Sequence, residues 1–301
     1  MVRPLHFGYN EETADNNAFQ AKDDTLSAEE VARRAQREFD AFVTVLREAG
    51  VQVLVAEDDP TRQIPDSVFP NNWVSFHADG TLITYPMFAQ QRRLERRKEV
   101  LDVVLEKFTP KRRIHLEEYE LKQRYLEGTG SLVLDRQNRR AYACRSVRTD
   151  DDLVRELCDK LDYTPLLFDA LDIGGTPIYH TNVMMALGET FVVIALDTVR
   201  NEEEREQLLN AFEETEKEVI KITLEQMMAF AGNMLQVRNQ QGDTYLVMSE
   251  QAYGSLSPEQ IEVIEKHTGI LYSPVSTIET YGGGSARCMM AEVFLPEKEA
   301  M

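Results

Sequence analysis

Stretches with apolar residues at helical spacing alternate along the chain with short stretches in which apolar residues flank a turn. Ser27 and Glu30 form the pattern of a capping box, in which each side chain serves the other's backbone N–H. Behind it Val31, Ala35, Phe39, Phe42, Val43 and Leu46 share one helix face, and Gly50 ends the run. Val51, Val53 and Val55 then alternate as a strand. Residues 74–85 read as a hairpin turning at Asp79-Gly80, followed by a helix over 92–107 with Leu94, Leu101, Val104 and Leu105 inward. Three more hairpins follow: residues 132–144 turning near Asn138, 183–196 around Gly188-Glu189, and 234–248 around Gly242-Asp243. Helices are expected over 150–161 and 201–215 between them. Ser257, Pro258 and Gln260 open a last helix that runs to about His267. A last strand is expected over Met289 to Leu295.

A polar residue among small ones stands just before each hairpin and at the last strand. These are Asp66, Glu127, His180, Asn233 and Cys288, and they follow one another at 61, 53, 53 and 55 residues. A unit of roughly 55 residues that recurs five times indicates a propeller or an array. Equivalent loops of such units converge on one axis, so the five residues are expected to face each other. No linker or low-complexity segment interrupts the series, and residues 1–301 read as one domain.

Composition narrows the partners. The hydrophobic fraction of 43% supports a full core, and the net charge of −19 argues against nucleic acid. The one basic cluster, Arg92-Arg93 through Arg96-Arg97-Lys98, is interleaved with Leu94, Val100, Leu101 and Val104 and reads as a solvated helix face. No apolar run approaches a membrane span, and residues 1–17 lack the apolar core of a signal peptide. Three widely spaced cysteines, Cys144, Cys158 and Cys288, suit free thiols in a reducing, cytoplasmic setting. Cys144 and Cys158 are expected to be packing residues. With no CxxC or HExxH pattern, no metal or other cofactor is expected. The oligomeric state is open, with a homodimer admitted.

Cys288 follows the glycine-rich run Tyr281-Gly282-Gly283-Gly284-Ser285-Ala286-Arg287. A buried cysteine at a strand start and a nucleophile beside Arg287 are both compatible with that context, since positive charge favours thiolate. A Cys, a His and carboxylates in one polar pocket supply the parts of covalent catalysis. Cys288 would attack an sp² carbon, His180 would shuttle protons, and Glu127 or Asp66 would bind substrate N–H groups or orient the imidazole.

These segments resemble the guanidino-group-modifying enzyme superfamily, which includes arginine deiminase, dimethylarginine dimethylaminohydrolase and glycine amidinotransferase. The likeness runs from Arg3-Pro4-x-x-Phe7-Gly8-Tyr9-Asn10 through Pro65-Asp66-Ser67-Val68-Phe69-Pro70-Asn71-Asn72-Trp73 and Leu126-Glu127-Gly128-Thr129-Gly130-Ser131. It continues in Ser146-x-Arg148-Thr149, His180-Thr181-Asn182 and the Cys288 loop. Within the superfamily the chain most resembles the bacterial citrulline-utilisation hydrolases, or citrulline ureidases. The resemblance implies the pentein fold, a five-bladed α/β propeller. It implies Cys288 as nucleophile, His180 as general acid/base and Glu127 as the carboxylate that pairs with the histidine and a substrate nitrogen. Asp66 would bind substrate and Arg148 would grip its α-carboxylate with two parallel bonds. Asn72, Asn182 and Asn233 complete the substrate-binding set, and backbone N–H groups of the loop with Gly283 and Gly284 are the candidate oxyanion donors.

The chain departs from the arginine deiminases at two positions, where they carry Asp and this chain has Asn72 and Asn182. Losing two charge-assisted contacts would weaken binding of a guanidinium by about 2–4 kcal/mol. The swap points to a neutral ureido amino acid such as citrulline, hydrolysed to ornithine, CO₂ and ammonia through an S-carbamoyl enzyme. Dimethylarginine hydrolases also vary at the second position, which makes Asn72 the stronger marker. Asp66 and Glu127 keep a guanidino hydrolase or amidinotransferase as the alternative, and a non-catalytic small-molecule-binding propeller as a third. The polar segment Asn10–Gln20, with Asn16 and Asn17, reads equally as a lid or as a plain surface loop.

Overall fold

A computed structural model of the chain describes residues 1–14, 17–22 and 25–298. Strand β1 (Val2–Arg3) is separated by helices α1 (Glu11–Ala14) and α2 (Ala28–Glu48) from its parallel partner β2 (Ala56–Glu57). The six apolar residues that the periodicity assigns to one face of α2 are the buried ones. Ser27 Oγ caps this helix by accepting from the Glu30 N–H, but the reciprocal half of the box is missing, because Arg33 and Arg34 draw off the Glu30 carboxylate. The strand expected over Val51, Val53 and Val55 is not formed. Those residues pack half-buried beneath α2, and their pairing partner is too short to build a ladder before Ala56.

Four three-stranded sheets follow, all built alike: an antiparallel hairpin, a helix, then a third strand parallel to the second. The first holds β3 (Val74–Phe76), β4 (Thr81–Thr84), helix α3 (Lys98–Leu105) and β5 (Arg112–His115). The second opens on a single turn, α4 (Gly128–Ser131), and contains β6 (Val133–Asp135), β7 (Arg140–Cys144), α5 (Asp151–Leu161) and β8 (Thr164–Phe168). The third contains β9 (Met185–Leu187), β10 (Phe191–Ile194), α6 (Glu202–Glu214) and β11 (Glu218–Lys221). The fourth is preceded by α7 (Leu224–Met228). It contains β12 (Leu235–Arg238), β13 (Thr244–Ser249), α8 (Glu250–Ser255), α9 (Pro258–His267) and β14 (Gly269–Ser273). The helix from Pro258 is not the last, since α10 (Ser276–Gly282) follows it.

Two further expectations fail. The helix expected over 92–107 is split into a 3₁₀ turn, Gln91–Glu95, and α3. Its basic cluster is not a solvated face. Arg92 and Arg97 are buried, Arg97 against Asp58, and Arg96 pairs with Glu120, while Leu94 is 43% exposed. The strand expected over Met289–Leu295 does not form: residues 286–289 turn, with Cys288, Met289 and Met290 N–H groups bonding to the carbonyls three residues back, and residues 290–294 belong to no strand. Cys144 on β7 and Cys158 on α5 are buried packing residues, as their contexts suggest.

The first strands of the four sheets, β3, β6, β9 and β12, turn residues toward a common, largely apolar cavity of about 520 Å³. Residues 51–54 and Met290 to Phe294 complete its wall. Helix α2 packs on β14 and α10. The Glu38 carboxylate accepts from the Thr277 and Ile278 N–H groups at the start of α10.

Candidate active site

The polar residues sit where the chain enters those first strands. Asp66 and Asn72 precede β3, Glu127 is the residue before α4 and β6, His180 precedes β9, and Asn233 precedes β12. Each is fixed by a short turn: Pro70–Asn72, Gly128–Ser131 and Thr181–Val183 for the first three groups. Cys288 arrives from α10, which ends at Gly283 in the left-handed region, φ 61°, where a Cβ would strain the backbone.

His180 Nε2 lies 2.8 Å from Glu127 Oε2, and both residues are buried. Glu127 also accepts from the Phe88 N–H, and Arg148 Nη1 approaches it at 3.5 Å. Burial alone would raise the Glu127 carboxyl, but Arg148, His180 and Arg92 hold it well below the usual carboxylate range. Burial pushes His180 down to about 4, against the opposing pull of Glu127. Asp66 is raised by burial, opposed by Arg92 and by the 2.6 Å hydrogen bond it accepts from Asn10 Nδ2.

Two side-chain amides reach the sulfur: Asn233 Nδ2 at 3.2 Å and Asn182 Nδ2 at 3.4 Å from Cys288 Sγ. Arg287 does not face this side. Its guanidinium donates to Met290 O and pairs with Glu292, and it lines the large cavity instead. Gly283 N–H already donates to Glu279 O, and Gly283 O accepts from Tyr179 Oη at 2.6 Å. Gly284 lies so close to Cys288 that an added Cβ would stand 3.3 Å from the Cys288 Cβ. Arg148 stacks on Tyr179, its guanidinium carbon 4.8 Å from the ring centre.

Arg92, which the sequence pattern places on the surface, is the residue that reading misses. Its Nε and Nη2 bind Glu95 at 2.7 and 3.0 Å, and Nη2 also donates to Asn72 Oδ1 at 3.0 Å. The signal for it is the Arg92-x-x-Glu95 spacing itself, one turn of a 3₁₀ helix. Because Arg is a donor only, the carbonyl of Asn72 has to face it, and Nδ2 therefore points the other way. That Nδ2 has no hydrogen-bond partner, nor do Asp66 Oδ1 and Asn182 Oδ1. Asp66 and Asn72 line one cavity, and a ligand that pairs with their free atoms removes the cost of burying them unpaired.

Asp66, Asn72, Arg92, Arg148, His180, Cys288 and the three loop glycines line one cavity of about 20 Å³, room for about one water. Thr13 and Asn17 form its roof, and Asn17 Nδ2 donates to Gly282 O. Asn16, read with Asn17 as part of the same segment, lies outside the described residues. Among the described residues no group of three or more His, Cys, Asp or Glu is placed to hold a metal ion, and no helix is long and apolar enough to cross a membrane.

The family described as N,N dimethylarginine dimethylhydrolase, eukaryotic, matches residues 3–295. A comparison with curated proteins found no match. Among solved structures, ArgZ, an arginine dihydrolase from the ornithine–ammonia cycle in cyanobacteria, superposes with a TM-score of 0.75 at 16% identity over 99% of this chain. The chain spans 41% of that protein's length, and 98% of its N-terminal domain crystallised with a product. AgrE in complex with ornithine and NAD+ gives 0.75 at 18% identity, over 99% of this chain and 39% of its own. A dimethylarginine dimethylaminohydrolase variant carrying an S-methyl-L-thiocitrulline adduct gives 0.63 at 16%, over 96% of both chains. At these identities the structural likeness speaks to the fold, an α/β architecture shared with the pentein enzymes. With the family matched over nearly its whole length, the chain belongs to the N,N-dimethylarginine dimethylhydrolase family of the guanidino-group-modifying superfamily.

Proposed function

We propose that the chain is a cysteine-dependent C–N hydrolase that acts on the ureido group of citrulline and releases ornithine, CO₂ and ammonia. The observation that carries this reading is the orientation of Asn72. Its amide N–H₂ is turned away from Arg92 and unpaired, so it offers donors beside His180. A ureido group brings a C=O acceptor to those donors and N–H groups to the unpaired oxygen of Asp66. A guanidinium has no acceptor for Asn72.

In the proposed reaction His180, neutral at rest, takes the Cys288 proton as sulfur attacks the ureido carbon. The Asn72 amide meets the oxygen on which charge develops. The imidazolium then passes that proton to the departing δ-nitrogen, and the C–N bond breaks to leave S-carbamoyl Cys288 and ornithine. Water, deprotonated by His180, displaces the thiolate. The released carbamate decomposes to CO₂ and ammonia. Arg148 and Arg92 are assigned to the substrate α-carboxylate, and Asn233 and Asn182 to holding Cys288 in place. No metal or organic group is required. The wider assignment is one pentein domain over residues 1–301 with five blades, the two-stranded sheet and α2 forming the first. It is proposed to work in the cytoplasm on a small amino acid, with the Asn10–Gln20 segment as the lid that must lift to admit it.

Asp66 and Glu127 favour a second reading, hydrolysis of a guanidino group, the chemistry named for ArgZ. Purified enzyme offered citrulline, arginine and dimethylarginine separates the two. Ornithine from citrulline alone is expected, and Cys288→Ser should abolish it. Asn72→Asp should shift turnover from citrulline toward arginine by about tenfold or more. Citrulline accumulating from arginine in the native enzyme would overturn the first reading.

A further inference from the structure

We infer that Glu95 is a positioning residue for substrate recognition: it holds the Arg92 guanidinium so that Nη1 is presented to a carboxylate in the cavity. This rests on the reading that the substrate is an amino acid. Glu95 does not line the cavity and touches it only through Arg92. The two residues are both buried, 2% and 4% exposed, and stand at i and i+3 of a 3₁₀ turn, where side chains eclipse. Glu95 takes the Nε–Nη2 edge of the guanidinium in a two-bond fork, and Asn72 takes the remaining Nη2 hydrogen. Of five N–H donors, the two on Nη1 are left without a hydrogen bond among the described residues.

Two other carboxylates compete for the same cation. Asp66 Oδ2 lies 3.7 Å from Arg92 Nε, and Glu127 Oε2 lies 3.8 Å from Nη1. Both are just outside hydrogen-bond range. Either would close on Arg92 if the fork to Glu95 were released. Either move would turn Nη1 away from a carboxylate in the cavity. Glu95 therefore keeps the one guanidinium engaged from behind, leaving three separate jobs to three carboxylates. Burial pushes the Glu95 carboxyl up to about 8, and the Arg92 guanidinium opposes that rise.

The test is Glu95→Gln, assayed with citrulline and with its decarboxylated analogue, N-(4-aminobutyl)urea. The expected result is a KM for citrulline at least tenfold higher with kcat within about threefold, and an unchanged KM for the analogue. Equal losses on both substrates, or a fall in kcat alone, would overturn the inference. If Glu95→Gln does not fold, Glu95→Asp keeps the charge but withdraws the carboxylate by roughly 1.5 Å and should show the same split. Calorimetric binding of ornithine to Cys288→Ser, with and without Glu95→Gln, needs no turnover. If the native enzyme hydrolyses no ureido substrate but ornithine binding still weakens tenfold in the double variant, the function reading fails and the role of Glu95 stands. Unweakened binding, or a crystal structure of Glu95→Gln with Arg92 unmoved, sinks it.

Discussion

His180 is neutral at rest, because burial lowers its pKa to about 4, more than Glu127 can raise it. In the proposed reaction the proton for the leaving amine must therefore come from Cys288. The sign is fixed: the neutral base is lost only as pH falls through the depressed pKa. The acid limb of kcat/KM is expected near pH 4, and a limb near the ordinary histidine value of about 6.5 would contradict the assignment. Glu127→Gln removes the acceptor that stabilises the imidazolium. It should lower kcat about 10²-fold and move the limb further down, as read from a pH–rate profile. At this scale the sequence was informative about which residues come together and silent about how they face. Cys288, His180, Glu127, Asp66, Asn72 and Asn182 lie about one centre. The turning away of Arg287, and of the Gly283 N–H toward Glu279, depends on contacts across elements that spacing does not encode.

The elements that cover their own apolar face were legible. Alternating hairpins, the stripe on α2 and the helix start at Ser257, Pro258 and Gln260 all form, since each is satisfied within a few residues of its own sequence. The third strand of each sheet was not legible. β5, β8, β11 and β14 are sheet edges with mixed exposure, so they carry little two-residue alternation, and their pairing comes from a segment a whole helix away. Arg92 was missed for the same kind of reason, because a 3₁₀ turn hides inside a pattern that also fits an α-helix. Two substitutions test the local account. Ser257→Ala should cost about 1 kcal/mol in urea unfolding through loss of the cap. Gly130→Ala places a Cβ 2.3 Å from Asn72 Nδ2 and 2.7 Å from His180 Nδ1, so both must move. Turnover should fall by about 10²-fold while far-UV circular dichroism is kept.

Across the whole molecule the cluster is assembled from segments remote in sequence, tied by contacts between α2 and the α10 region. Glu38→Ala removes the carboxylate that caps α10 from α2. It should reduce stability by about 1 kcal/mol, as measured by chemical denaturation, and raise the mobility of the Cys288 loop in hydrogen exchange. Contacts this distant form late, because the intervening chain has to be ordered first. Refolding followed by helix signal and by turnover is expected to show turnover trailing. The same wiring has a consequence during biosynthesis. More than two hundred residues separate Asp66 from Cys288. At about 5–20 residues per second a ribosome needs roughly ten to forty-five seconds to cross that interval. Until then the emerging chain carries the charged wall of a pocket without Cys288. Under the proposed reaction a truncated translation product would be inert toward its substrate.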